Sequence, residues 1–81
     1  MTSLLHIPEL MRNGRWNEAH SLVQLYDSSA AFWLHALLHL QEGDLENAEY
    51  WYGKSGRSFR SRGSLSEELD ELEASLRGPM V

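Results

Sequence analysis

The chain has no cysteine. That removes disulfide staples, thiolate metal sites and a cysteine nucleophile from consideration. No stretch approaches the ~18 consecutive apolar residues of a membrane-spanning helix, so no membrane span is expected. Residues 1–5 lack the basic start and small-residue cleavage site of a secretory signal, and a cytoplasmic location is expected. Positive charge is also short. The net charge is −5, and an acidic chain is repelled by phosphate, so nucleic acid is not an expected partner. No serine stands in a nucleophile-elbow setting, and no complete catalytic set is present. A non-enzymatic reading therefore comes first, with an enzyme left open, and no cofactor is expected.

What remains is an ordinary globular composition in a small frame. The 81 residues make one domain, 1–81, with 42% hydrophobic residues, three Trp and three Tyr, which argues against disorder. A chain of this size buries only about 60–65% of its unfolded surface, so its stability should be modest. The charge is uneven. Residues 1–50 carry Arg12 and Arg15 against seven acids, and residues 64–81 carry five acids against Arg77. Between them, Lys54, Arg57, Arg60 and Arg62 stand in a stretch with no acid. That stretch is either a local anion contact or a solvated linker that pairs with the acidic helix after it.

One spacing occurs twice. Gly14, Trp16 and Ala19 stand at i, i+2 and i+5, and Gly43, Leu45 and Ala48 repeat those intervals 29 residues later. A period of this length marks a helical hairpin that cannot bury its apolar face alone and must stack on a neighbour. The predicted fold is all-α: two stacked helical hairpins, over about 3–27 and 30–58, plus a C-terminal capping helix over about 65–77.

The helices follow from local signals. Pro8 suits a first turn, and Asn13-Gly14 reads as a left-handed C-cap. Trp16, Ala19, Leu22, Val23 and Tyr26 share one helix face, which predicts a helix over 16–26. Residues 30–42 are apolar nearly all round, so this helix should be central. Asp27-Ser28-Ser29 and Glu42-Gly43-Asp44 break and cap. The helix over 45–55 should turn Leu45, Ala48, Trp51 and Tyr52 inward. Ser55 to Ser64 reads as a loop. Ser64 and Glu67 have capping-box spacing, Leu65, Leu69, Leu72 and Leu76 form a single stripe, and Gly78-Pro79 ends the helix.

The Gly, bulky residue, Ala spacing resembles the tetratricopeptide repeat and its relative, the Sel1-like repeat. Ala36 and Tyr52 match the small and bulky positions of the second hairpin, and Trp51-Tyr52 is similar to the Trp-Tyr pair of Sel1-like repeats. The resemblance covers about residues 3–58 and implies a stacked helical-hairpin fold, without an activity. The chain departs from those families in its short period, in lacking a Pro after the second hairpin, and in having two hairpins where about three are usual. The string from Trp33 to Tyr52 also resembles small bacterial proteins that bring no activity with them.

Two constellations stand out. His35 and His39 are four apart on one helix face, Glu42 follows three later, and His20 lies on the preceding helix. Imidazoles with a carboxylate suit zinc or non-haem iron. Ala36 stands where a metalloprotease motif has its general base. The competing reading is structural: neutral histidines packed in a helix interface. The second constellation is aromatic. Trp33, Tyr50, Trp51 and Tyr52 cannot all face one core, because each helical step turns about 100°. Tyr50 belongs at the rim, as a contact site or packed beneath the Arg-rich loop or the fifth helix. Gly53-Lys54-Ser55 lacks the glycine and the strand of a phosphate loop.

The first function expected is a non-catalytic protein–protein interaction or scaffold module, partnered by another protein or by a second copy as a homodimer. Its surface is expected at Trp33, Tyr50, Trp51, Leu69 and Leu72. The alternative is a small metal-binding protein or metalloenzyme using His35, His39, Glu42 and His20.

Overall fold

Each Gly-centred spacing closes a helical hairpin. The computed structural model describes residues 4–78. Among them the chain forms α1 (His6–Arg12), α2 (Trp16–Val23), α3 (Ser29–Gln41), α4 (Leu45–Ser55) and α5 (Leu65–Arg77), with no strand. The expected start of the first repeat at residue 3 and the Pro79 stop lie outside the described residues.

The two turns share their hydrogen bonds as well as their sequence spacing. Arg15 N donates to Leu10 O and Asp44 N to His39 O, both at 2.9 Å. Gly14 N donates to Met11 O and Gly43 N to Leu40 O, both at 3.1 Å. This is the Schellman pattern, and it needs a left-handed residue at its bend. Gly14 at φ +75° and Gly43 at φ +83° supply it without a Cβ penalty. Each bond in the second turn lies 29 residues after its counterpart. Ala19 and Ala48, five past each Gly, are both fully buried, so no larger side chain separates the paired helices there.

α3 is the hub. It packs against α2, α4 and α5, which stacks one hairpin on the other and brings the C-terminal helix onto the same element. Trp33, Leu34, Ala36, Leu37 and Leu38 are buried along it, as its all-round apolar sequence implies. Gln41 Nε2 donates to Met11 O at 2.9 Å, and Trp16 Nε1 donates to Leu38 O at 2.7 Å. Both bonds cross from one hairpin to the other.

The structure corrects several expectations. α2 stops at Val23 and not at Tyr26. Leu25 N and Tyr26 N bond back to Leu22 O and Val23 O in tight turns. The chain so leaves the helix early and carries Ser28 to the N-cap of α3, where its hydroxyl accepts from Ala31 N. Leu45 is 55% exposed and not inward. Its counterpart Trp16 is covered because α3 follows it; among the described residues no third hairpin follows α4. The cap helix α5 packs mainly on α3 and reaches α4 through the Tyr52 hydroxyl bond to Glu68. Its stripe is thereby used up: Leu69 and Leu72, expected at an interaction surface, are buried in the chain's own core, and so is Trp33.

One carboxylate goes inside with that stripe. Glu68 is 5% exposed. Its Oε1 accepts from Trp33 Nε1 at 3.2 Å and from the Tyr52 hydroxyl at 2.6 Å, and its Oε2 from Gly63 N at 3.3 Å. Three donors from α3, α4 and the loop satisfy it. Burial, then this carboxylate, push the Tyr52 phenol well above its ordinary range, so it stays a donor. At the other end, Arg12 grips Glu73 with both terminal nitrogens at 2.8 and 2.9 Å and reaches Asp70 at 3.1 Å, tying α1 to α5. No described helix is long and apolar enough to cross a membrane.

Candidate metal centre

His20 comes from α2 and His35 and His39 from α3, so stacking of the two hairpins assembles the cluster. One ring nitrogen from each lies within 4.8 Å of the other two. His20 Nε2 and His35 Nε2 are 3.1 Å apart. His39 Nδ1 is 2.6 Å from Glu42 Oε1, which leaves its Nε2 as the nitrogen not used by that carboxylate. His35 and His39 are nearly buried and His20 is half-buried.

Two indoles close the cluster from either side. Trp16 stacks on His20 with ring centroids 4.7 Å apart and an interplanar angle of 12°. Trp51 stacks on His35 at 3.9 Å and 11°. His35 and His39 are themselves stacked at 5.1 Å, and His20 meets both edge-on. Each imidazole plane is therefore fixed by a neighbour, as a pre-organised ligand set requires. Burial, then the adjacent His20 and His39 rings, push the His35 imidazole down to about 4, so the ring is uncharged at neutral pH. His20 is lowered by burial and by His39, with Glu42 opposing.

The sequence-derived set thus meets in space. His20, His35 and His39 converge, and Glu42 orients His39. Asp44 belongs to a second grouping with His39 and Glu42, in which one ligand atom of each lies within 4.8 Å of the others. Trp16 was not anticipated as a partner of the site; its i, i+4 spacing to His20 carried the signal. Asp44 was not anticipated as a ligand either, because its clearest role is the N-cap of α4.

The other expected residues scatter. Tyr50 is 58% exposed, meets Trp51 edge-on and lies beneath the Lys54 ammonium. Trp51 is half-buried between the cluster and solvent. The basic stretch is largely spent inside the molecule, which undercuts an anion site. Arg57 lies 3.6 Å over the Trp33 ring and pairs with Glu71 at 2.7 Å. Arg62 lies 3.9 Å over Phe59 and donates to its carbonyl. Lys54 sits 5.1–5.8 Å over Phe32, Trp51 and Tyr50. Arg60 is exposed.

A cleft of about 480 Å³ opens beside the cluster, lined by Gln24, Tyr26 and Asp27 of the α2–α3 turn, Phe32 and His35 of α3, and Trp51 and Lys54 of α4. His35 is common to the cluster and the cleft. Compared with known proteins, the chain matches no family model, no curated protein and no solved structure.

Proposed function

We propose that this is a small helical metal-binding protein that takes zinc, or a similar divalent transition ion, on His20, His35 and His39. The observation that carries the reading is the convergence of the three imidazoles within 4.8 Å, with His39 held by a carboxylate. Zn–N bonds of about 2.0–2.1 Å in a tetrahedron place neighbouring nitrogens about 3.3–3.4 Å apart. The 3.1 Å between His20 Nε2 and His35 Nε2 is close to that edge. A carboxylate on the remote ring nitrogen is the usual partner of a ligating histidine, and Glu42 stands in that place. With no cysteine in the chain, a three-imidazole site is borderline rather than soft, which suits zinc over copper(I). Without metal, the same geometry is a hydrogen bond between two neutral imidazoles, and titration separates the two states.

The test uses untagged protein and isothermal titration with zinc. The expected result is one zinc per chain, lost in His20→Ala and in His39→Ala. Glu42→Gln keeps the shape and weakens binding by about 10–100-fold. Zinc uptake below one equivalent that His20→Ala leaves unchanged overturns the reading.

The outer face of α4 favours a second reading, a non-catalytic interaction module. Leu45 and Tyr50 are more than half exposed there, and Leu25 is 76% exposed on the α2–α3 turn. A second copy of the chain covers α4 in this reading, giving a homodimer. Sedimentation at micromolar concentration should then show a dimer that Tyr50→Glu returns to monomer. A monomeric parent removes it.

A further inference from the structure

The cleft beside the histidines has two charges, Asp27 and Lys54, that form no ion pair among the described residues. Elsewhere the chain does pair charges within reach: Arg12 with Glu73, Arg15 with Glu18, Arg57 with Glu71. The Gln24 side chain, on the same rim, has no hydrogen-bond partner. Between these polar groups the wall is aromatic, built of Phe32, His35 and Trp51. Trp51 lies against His35 at 3.9 Å and against Phe32 at 5.7 Å. Lys54 Nζ is held over the Phe32 and Trp51 rings, at 5.1 and 5.4 Å. Cation–π attraction keeps the ammonium over the cleft with its hydrogen-bonding capacity unspent.

We infer that this cleft binds a small zwitterion with an apolar side chain, a free amino acid or a dipeptide. The ligand's ammonium faces Asp27, its carboxylate faces Lys54 and its side chain lies against Trp51 and Phe32. A purely anionic ligand leaves Asp27 opposed by a like charge, and a purely cationic one does the same to Lys54, so only a molecule with both charges satisfies the rim. The volume of about 480 Å³ accommodates either a single amino acid or a dipeptide. The inference does not depend on the metal site, although His35 belongs to both.

The experiment follows the Trp51 indole N–H by NMR during titration, in the presence of a chelator so that metal loading plays no part. The probes are phenylalanine, the dipeptide alanyl-phenylalanine, N-acetylphenylalanine and phenylalanine amide. Phenylalanine or alanyl-phenylalanine, at millimolar concentration, should shift the indole, and the tighter of the two sets the charge spacing. The acetylated and amidated probes should bind about tenfold more weakly, since each loses one charge contact. Asp27→Asn should abolish the preference over the acetylated probe, and Lys54→Gln the preference over the amide. Both are exposed positions, so the fold should survive. Equal binding of the blocked probes, or no indole shift with either zwitterion, overturns the inference and leaves the metal reading untouched.

Discussion

Glu68 stands three after Leu65 and four before Leu72, so its place on the apolar face of α5 is readable from spacing. Its partners are not, because they come from two other helices and a loop. Glu68→Ala leaves the Trp33 N–H and the Tyr52 hydroxyl without an acceptor and should cost about 2–5 kcal/mol. Glu68→Gln retains an oxygen for them and should cost less. Urea unfolding measures both, and an alanine variant as stable as the parent contradicts the account. Ala48 makes the opposite point, since its burial follows from the repeat spacing alone. Ala48→Leu should overpack the α3–α4 crossing and cost about 1–3 kcal/mol, read as a lowered thermal midpoint. An unchanged midpoint would place the crossing elsewhere. The pairing of His35 with His39 is legible in the same way, from i, i+4 spacing. The arrival of His20 is not, because it depends on how one hairpin sits on the next.

At the level of elements, caps and apolar faces were legible, and docking partners were not. The capping box of Ser64 and Glu67 forms as its spacing implies, and α4 and α5 span the expected residues. α2 ends early because the short turn to Ser28 takes its last residues. The Leu stripe says that α5 must be covered. Whether α3, α4 or a second chain covers it is settled by tertiary contacts, chiefly the reach of Glu68 to Trp33 and Tyr52 and of Arg12 to Glu73. The Arg12 latch has a pH signature. Its hydrogen bond, then its charge, hold the Glu73 carboxyl below the usual range, while partial burial opposes. A depressed carboxyl contributes stability above its unfolded pKa of about 4.3, and that contribution is lost as pH falls through the lower folded value. The Arg12 side chain is 42% exposed, so solvent screening keeps the contribution to about 0.5–1 kcal/mol. Arg12→Gln and Glu73→Gln should each lower the thermal midpoint near neutrality and should not be additive. In acid below the folded pKa, the variants should match the parent. A difference that persists there contradicts the latch.

Across the whole molecule, two hairpins and one helix close a single core. The Cα radius of gyration is 11.7 Å, which matches the about 11.7 Å of a compact chain of this length. Because α5 covers α3 within one chain, Leu69 and Leu72 need no second copy to cover them, and the large apolar side chains left exposed among the described residues are Leu25, Leu45 and Tyr50. The stack also sets the functional geography. It presses α2 onto α3, brings His20 to His35 and His39, and leaves a cleft where the α2–α3 turn faces α4. The histidines are named from the chain, and Trp16 follows from its i, i+4 spacing to His20, but the Trp51 stack on His35 and the cleft beside it emerge only with tertiary packing. The most direct test of the central claim is X-ray absorption at the zinc edge on protein loaded with one equivalent of zinc. The account predicts a first shell of nitrogen or oxygen at about 2.0–2.1 Å with the outer-shell scattering of three imidazoles, falling to two in His20→Ala. Zinc that washes off the parent protein, or a shell without imidazole scattering, would contradict it.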